Sequence, residues 1–174
     1  MNSIELLKSQ VQLAHAFLDG TCADVTQEQA DAVPGGTAHP IGATYAHLVL
    51  AEDFILSMFV RGTQPLVLGE FAGKTGFSEP QPVNVSADEM LAWANRVKVD
   101  MPVAREYGKA VLANTLGWID SLSESDLERE VEPPGFPKQT VGQWITIAAI
   151  AHPSNHCGEI AALKGLGGAK GYPF

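Results

Sequence analysis

The sequence predicts an all-α protein, a four-helix bundle, on three observations. Apolar residues recur every three or four positions in four long segments, which is the pattern of helices that bury one face. No segment shows the Val- and Ile-rich alternation of a strand. The 174 residues are 45% hydrophobic and 18% charged, a globular balance in a chain long enough to bury a core. We therefore expect residues 1–174 to form a single helical domain.

Helix 1 is predicted from about residue 3 to residue 19. Its apolar residues recur at helical spacing and form one stripe, which His15 borders. We interpret His15 as a structural residue. Gly20 follows the last apolar position, and glycine there is typical of a helix end. The apolar residues of the stripe are Ile4, Leu7, Val11, Ala14 and Leu18.

Helix 2 is predicted from about residue 40 to residue 61, with Gly62 as its stop signal. His47 lies at the centre of its most apolar face, because Ala51, Phe54 and Met58 fall within about 40° of it on a helical projection. Glu52 and Asp53 point well away from that direction. We therefore do not expect these two carboxylates to share a site with His47.

Helix 3 is predicted from about residue 86 to residue 122. It opens with a capping box in which Ser86 and Glu89 satisfy each other's backbone amides. Pro102 falls inside this segment and is expected to kink the helix. Residues 123–139 contain three prolines and one glycine close together, so we expect a loop with a short turn there.

Helix 4 is predicted from about residue 140 to residue 165, and Thr140 and Gln143 form a second capping box at its start. His152 and His156 lie four residues apart, so their imidazoles project from one face. Pro153 falls between them and removes a backbone amide, so we expect the helix to bend at that point. The histidine face is also the apolar face of the helix.

The long segment at residues 62–85 suggests how the helices are connected. A structureless loop of this length is uncommon in a compact domain unless it has a role, and a crossover along a bundle is one such role. Helices 2 and 3 would then run in the same direction, which gives an up-down-down-up topology. The antiparallel pairing of helices 2 and 4 brings His47, His152 and His156 to similar heights. In an up-down-up-down bundle they would differ by roughly 8 to 14 Å, given the helical rise.

Three neutral imidazoles at one height could hold a divalent metal ion, since histidine is a common metal ligand. The alternative is that they are core histidines satisfied by hydrogen bonds. Glu159 lies close to the same face, one helical step beyond His156. There it could accept the second ring N–H of a histidine, or it could simply be solvated at the mouth of the bundle.

Charge and composition exclude several classes of function. The net charge is -9, which argues against nucleic-acid and anionic-membrane partners, because both require a basic face. The longest apolar run falls far short of the roughly 20 residues that span a bilayer. We see no signal peptide, and two cysteines form no disulfide framework, so we expect a cytoplasmic protein. Cys157 points about 100° away from His156 on a helical projection, and we expect it to be inert rather than a catalytic nucleophile.

Two motifs resemble the DinB superfamily. They are Thr44-Tyr45-Ala46-His47-Leu48 in helix 2 and His152-x-x-x-His156-x-Gly158-Glu159-Ile160 in helix 4. The resemblance covers nearly the whole chain and implies a four-helix bundle with the crossover and a divalent metal held by His47, His152 and His156. The chain departs from the family pattern at Cys157, where arginine is frequent, and at Glu159, where glutamine is frequent.

The resemblance also implies a range of functions. Characterised relatives include transferases and isomerases that use low-molecular-weight thiols, so we expect a metal-dependent thiol transferase acting on a small molecule. A metal-dependent hydrolase and a non-catalytic metal-binding or dimerising protein are the alternatives, and no catalytic residue is assigned. Zinc or nickel is the expected metal. Scattered basic residues could receive the carboxylates of a thiol; they are Arg61, Lys98 and Arg105.

Family members often form dimers, and we expect a homodimer here. Trp118 and Tyr107 in helix 3 lie on a flank away from its predicted core face. Exposed aromatic area of this kind is more typical of an interface than of open surface. The alternative is that the loop after helix 3, or the C-terminal tail, covers these rings within one chain.

Overall fold

The structure, a computed structural model, describes residues 2–83 and 85–174 and is mostly helical. The long predicted crossover therefore includes one residue, Asn84, that lies outside the described residues. The elements in chain order are α1 (Ser3–Cys22), α2 (Gln27–Asp31), α3 (Ile41–Asp53), a π-helical segment (Phe54–Arg61), a 3₁₀ turn (Leu66–Leu68), α4 (Ala87–Ala94), α5 (Met101–Ile119), α6 (Glu124–Glu128), β1 (Glu130–Val131), β2 (Gln139–Thr140), α7 (Val141–Thr146), a second π-helical segment (Ile147–Ala151) and α8 (His152–Leu166).

The first helix is longer than predicted, because Gly20 does not end it. Helix α1 continues to Cys22, where Thr21 is buried and its hydroxyl lies 3.4 Å from the Cys157 sulfur. Gly20 serves close packing instead, since a Cβ there would lie 3.0 Å from the Pro173 ring. The buried Lys164 ammonium donates to the Thr21 carbonyl at 2.7 Å, and this bond satisfies an end of α1 that has no glycine cap.

Helix 2 consists of α3 and the π-helical segment that continues it. Gly62 ends it as predicted, in the left-handed conformation with φ 68°, and its N–H bonds to the Ser57 carbonyl. Among the described residues, Ile41–Arg61 is the one helix long and apolar enough to cross a membrane, but 67% of its apolar window is buried inside the fold. That burial is typical of a core helix.

The prediction of a single kinked helix 3 is wrong. The structure has two helices, α4 and α5, with a non-helical connection before Met101. Pro102 lies in the first turn of α5, where its missing amide costs nothing. The Asp100 carboxylate caps that turn by accepting from the Val103 N–H at 3.2 Å. Val99, which precedes this turn, pairs with Phe77 in an antiparallel bridge. The crossover loop therefore bonds to backbone groups that would pair within helix 3 if that helix were continuous.

Helix 4 is irregular where Pro153 predicted it to be. The π-helical segment Ile147–Ala151 directly precedes the proline, and the His152 N–H bonds to the carbonyl of Ile147, five residues back. In a regular α-helix the ring of Pro153 would clash with the Ala149 carbonyl, and the wider π-helical turn leaves room for it. The β1–β2 ribbon before α7 was not predicted, because strands of two residues carry no periodic pattern.

Helices 2 and 4 run antiparallel. His47, near the start of α3, contacts the histidines of α8, whereas the π-helical segment that ends helix 2 packs against α7, the start of helix 4. Helix 2 also contacts helix 3. Gly42, near the start of helix 2, lies beside Val99, and Ser57, near its end, accepts from Asn114 of α5.

Two apolar clusters form the core, and a layer of buried polar residues lies between them. One cluster is at the histidine end of the bundle and includes Leu18, Leu48, Trp93 and Ile160. The other is at the opposite end and includes Leu7, Leu56, Ile119 and Trp144. The buried polar residues of the intervening layer are His15, Glu52, Asp53, Ser57 and Thr115.

The predicted exposed pair of Trp118 and Tyr107 is wrong for Tyr107. Its side chain is fully buried, because its hydroxyl donates to the buried Asp53 carboxylate at 2.7 Å. Trp118 is half-buried, and the Arg61 guanidinium lies 5.3 Å from its ring centre. The two aromatic residues therefore do not share an exposed flank.

Candidate metal centre

The histidine cluster lies where the start of helix 2 meets the second half of helix 4. His47 is in the second turn of α3, and His152 and His156 occupy the first two turns of α8. All three side chains are half-buried. The structure thus brings together the three histidines that the sequence analysis selected.

The three imidazoles converge through their Nε2 atoms. The Nε2 atom of His152 lies 3.2 Å from that of His47 and 2.9 Å from that of His156. One ring nitrogen from each residue lies within 4.8 Å of the others. The rings meet edge to face, which leaves the nitrogen edges pointing at a common centre.

Two outer partners fix which nitrogen faces the centre. The Nδ1 atom of His47 lies 3.2 Å from the amide oxygen of Gln81, and that of His156 lies 2.6 Å from a carboxylate oxygen of Glu159. An amide oxygen and a carboxylate only accept, so both Nδ1 atoms carry the proton. In the neutral rings, both Nε2 atoms then present lone pairs to the centre.

This arrangement fits a metal ion better than it fits hydrogen bonding alone. His152 can supply at most one proton, so at least one of the facing Nε2 pairs lacks a hydrogen atom. Tetrahedral zinc with bonds of about 2.0 to 2.1 Å would separate its nitrogen ligands by roughly 3.3 Å. The observed spacings of 2.9 and 3.2 Å are close to that value. The donor set also suits nickel and other borderline ions.

Two histidines of the cluster, His47 and His152, favour the neutral form, which is the form that binds metals. Burial, and to a smaller extent the neighbouring His156 and His47, together lower the pKa of His152 to about 4. Burial also lowers the pKa of His47, although its hydrogen bond to Gln81 opposes this. A metal ion therefore would not have to displace protons from these two rings at neutral pH.

The other residues singled out from the sequence lie elsewhere. Cys157 is buried against α1. Glu52 and Asp53 point into the core, where they accept from Thr115 at 2.7 Å and from Tyr107. Each basic residue considered for a thiol carboxylate has another partner: Trp118 for Arg61, Asp31 for Lys98 and Asp19 for Arg105.

Gln81 could not be identified from the sequence. It lies 34 positions from His47 and belongs to no helix, so no periodicity links the two residues. The one local signal is its position between Pro80 and Pro82, which restricts the backbone of a loop residue.

A cavity of about 310 Å³ lies at the same end of the bundle. It begins near Leu163, seven residues and about 10 Å along α8 from His156. Its walls are mainly apolar and include Val33, Pro34, Ile41, Leu163 and Leu166. A larger groove of about 410 Å³ lies between the starts of α1 and α7, at the other end of the bundle, so it is not adjacent to the histidines.

Comparisons with known proteins are consistent with this architecture. The crystal structure of a conserved protein of locus from Enterococcus faecalis is similar to this chain, with a TM-score of 0.77 and 20% sequence identity over 95% of this chain and 97% of that one. At that identity the likeness shows the fold. A search of curated proteins gives no match. The family model of the DinB superfamily matches residues 7–160, and the chain therefore belongs to the DinB superfamily.

Proposed function

We propose that this protein binds one divalent metal ion through His47, His152 and His156 and uses it to activate a low-molecular-weight thiol for transfer to an electrophile. The observation that supports this most strongly is the convergence of three Nε2 atoms with Nδ1 partners behind two of them. Three protein ligands leave a coordination position open, which is the pattern of catalytic rather than structural zinc sites.

A bound divalent ion would lower the pKa of a thiol and hold it as the thiolate, the nucleophilic form. The protein's own contribution is to orient the ligands. Glu159 and Gln81 hold the proton on Nδ1 of His156 and His47, so that Nε2 stays free to ligate. The half-buried setting limits access to one side. Zinc is the first expectation, with nickel next, because neutral imidazole suits both.

The apolar cavity beyond His156 is the proposed place for the electrophile. Its distance of about 10 Å along α8 suits a small molecule whose reactive carbon faces the histidines and whose apolar part lies against Leu163 and Ile41. The basic residues considered for thiol carboxylates lie beside Trp118, Asp31 and Asp19, so the proposal names the thiol only by its class.

The wider setting is proposed from the sequence together with these contacts. We propose the up-down-down-up crossover topology for residues 1–174 as one domain, supported by the antiparallel contact of helices 2 and 4 and by the parallel contact of helices 2 and 3. We also propose a cytoplasmic homodimer. Both cysteines are free and buried, which agrees with a reducing compartment.

The test is a thiol-consumption screen with zinc-loaded protein. Glutathione or another small thiol is incubated with 1-chloro-2,4-dinitrobenzene, and loss of free thiol is followed. The sulfur–carbon bond forms as chloride leaves with its electron pair, and the thiol proton passes to buffer. We expect turnover that disappears in the His47→Ala/His152→Ala/His156→Ala variant and persists in Cys157→Ser. Metal-bound wild-type protein that consumes none of a broad panel of thiols and electrophiles would contradict the transferase and favour the non-catalytic alternative.

A further inference from the structure

We propose that residues 80–82 form a rigid strap that positions His47 as a metal ligand, with Gln81 as the positioning residue. The strap comes from the crossover loop, which connects helices 2 and 3. This inference rests on the proposed metal site, and it assigns a specific role to a segment outside both histidine-bearing helices.

The first observation is the contact itself. The amide oxygen of Gln81 lies 3.2 Å from Nδ1 of His47, and both side chains are half-buried. Without an acceptor at Nδ1, a neutral imidazole can place its proton on either nitrogen. With Gln81 present, the tautomer that exposes the Nε2 lone pair is favoured, and the ring is held in one orientation.

The second observation is that the backbone carrying Gln81 has little freedom. The prolines fix φ at positions 80 and 82. Each proline also restricts the residue before it to extended conformations, so Glu79 and Gln81 are both confined. A segment of this kind loses little further entropy when it contacts His47. The backbone around Gln81 is therefore already restricted to the conformation in which the Gln81 amide contacts the His47 ring.

The third observation is that the strap is anchored directly before its first proline. Ser78 and Lys98 exchange two hydrogen bonds of 2.9 Å, one from each backbone N–H. The Arg96 guanidinium donates twice to the Glu79 carboxylate, at 2.8 and 2.7 Å. This bidentate geometry fixes direction as well as distance.

These anchors explain why helix 3 is interrupted. The segment between α4 and α5 supplies the Lys98 backbone groups and the Asp100 N–H, which donates to the Gly76 carbonyl at 2.9 Å. In a continuous helix those groups would bond to residues four positions away. The interruption therefore connects helix 3, through the crossover loop, to the metal ligand on helix 2.

The test measures zinc affinity by competition with a chromophoric chelator. We expect Gln81→Ala and the near-isosteric Gln81→Met to raise the Kd about 10- to 100-fold, the usual effect of losing an outer partner of a metal-bound histidine. Gln81→Glu keeps an acceptor and is expected to restore affinity. Gln64→Ala is the matched control, because that amide donates to the Leu68 carbonyl in the same loop and does not contact a histidine.

A double-mutant cycle with Arg96→Gln separates positioning from general damage. If the anchor acts through Gln81, Arg96→Gln weakens zinc binding in the wild type and has little further effect in Gln81→Ala. The strap is contradicted if wild-type protein binds zinc and Gln81→Ala binds it within twofold as tightly, or if Gln64→Ala loses as much affinity. Absence of zinc binding in the wild type would contradict the proposed function itself, and the strap with it.

Discussion

At the scale of single residues, the proton positions on the imidazoles decide what the histidine cluster can do. The convergence of His47, His152 and His156 could be predicted, because helical spacing places two of them on one face and the crossover expected at residues 62–85 brings the third to the same height. Glu159 could be proposed for the same reason, since it lies on the same helix as His156. Gln81 could not, because its approach to His47 depends on how the crossover loop folds.

Glu159 gives the first prediction at this scale. The Glu159→Gln variant keeps an oxygen acceptor for Nδ1 of His156 but loses the charge that strengthens the 2.6 Å contact. We expect it to retain one zinc ion with affinity lowered by roughly 10-fold or somewhat more, measured by chelator competition. Complete loss of zinc would instead identify Glu159 as a direct ligand.

The buried pair of His15 and Glu52 gives a prediction about how the stability of the protein depends on pH. Their facing side-chain atoms lie 2.8 Å apart at ion-pair distance, although not aligned as a hydrogen bond. Burial, the largest single influence, lowers the pKa of His15, but the Glu52 carboxylate outweighs it, so the pKa is raised overall. A base whose pKa is raised by folding stabilises the protein fully below its unfolded pKa, and that stabilisation is lost as pH rises through the folded value.

We therefore expect Glu52→Gln to destabilise the protein more at about pH 6 than at about pH 9. At the lower pH the cost should be about 1 to 3 kcal/mol, the usual range for a lost buried polar partner. Urea unfolding of both proteins at the two pH values gives the difference, in which the other histidines cancel. An equal cost at both pH values would show that His15 does not ionise against Glu52.

At the scale of elements, most helix starts could be predicted and some helix ends could not. The capping boxes at Ser86 and Thr140 are present as expected, because they depend on residues three positions apart. Gly20 and Pro102 were misinterpreted because each has two physical uses. Glycine ends helices but also permits close packing, and proline kinks helices but also fits their first turn. Tertiary contacts choose between these uses, and they are not visible in a local pattern.

Two glycines in the crossover loop test its packing against α5. Gly73 and Gly76 both have positive φ, 69° and 79°. A Cβ on Gly76 would lie 2.9 Å from the Asp100 carbonyl oxygen, whereas a Cβ on Gly73 would have no atom within 4 Å. We expect Gly73→Ala to cost about 1 to 2 kcal/mol from backbone conformation alone. Gly76→Ala should cost a further 1 kcal/mol or more, roughly, from overpacking. Similar losses for both variants in urea unfolding would argue against this contact.

At the scale of the whole molecule, the proposed crossover topology would account for several features together. It would allow helices 2 and 4 to run antiparallel, which would bring the histidines to one height, and the loop carries Gln81 to the cluster. The buried Asp53 carboxylate begins the crossover by accepting from the Leu66 and Val67 amides at 3.0 and 2.9 Å. The same carboxylate accepts the Tyr107 hydroxyl. A buried carboxylate requires hydrogen-bond donors, and Tyr107 is buried because it supplies one of them to Asp53. A helical projection does not show this requirement.

Self-association remains a prediction at this scale. We expect a homodimer of the 18.5 kDa chain, and light scattering at micromolar concentration measures the mass directly. Trp118→Ser tests the half-buried ring that remains from the predicted aromatic flank. A dimer that persists in this variant would place the interface elsewhere, and a wild-type monomer would contradict the expectation.

The most direct test of the central claim is native mass spectrometry of zinc-loaded protein after removal of loosely bound ions. The histidine cluster predicts one zinc ion per wild-type chain and none in the His47→Ala/His152→Ala/His156→Ala variant. His39→Ala is the control, since His39 is not a member of the cluster, and it should retain one ion. A wild-type chain that carries no zinc, or a triple variant that carries as much as the wild type, would contradict the claim.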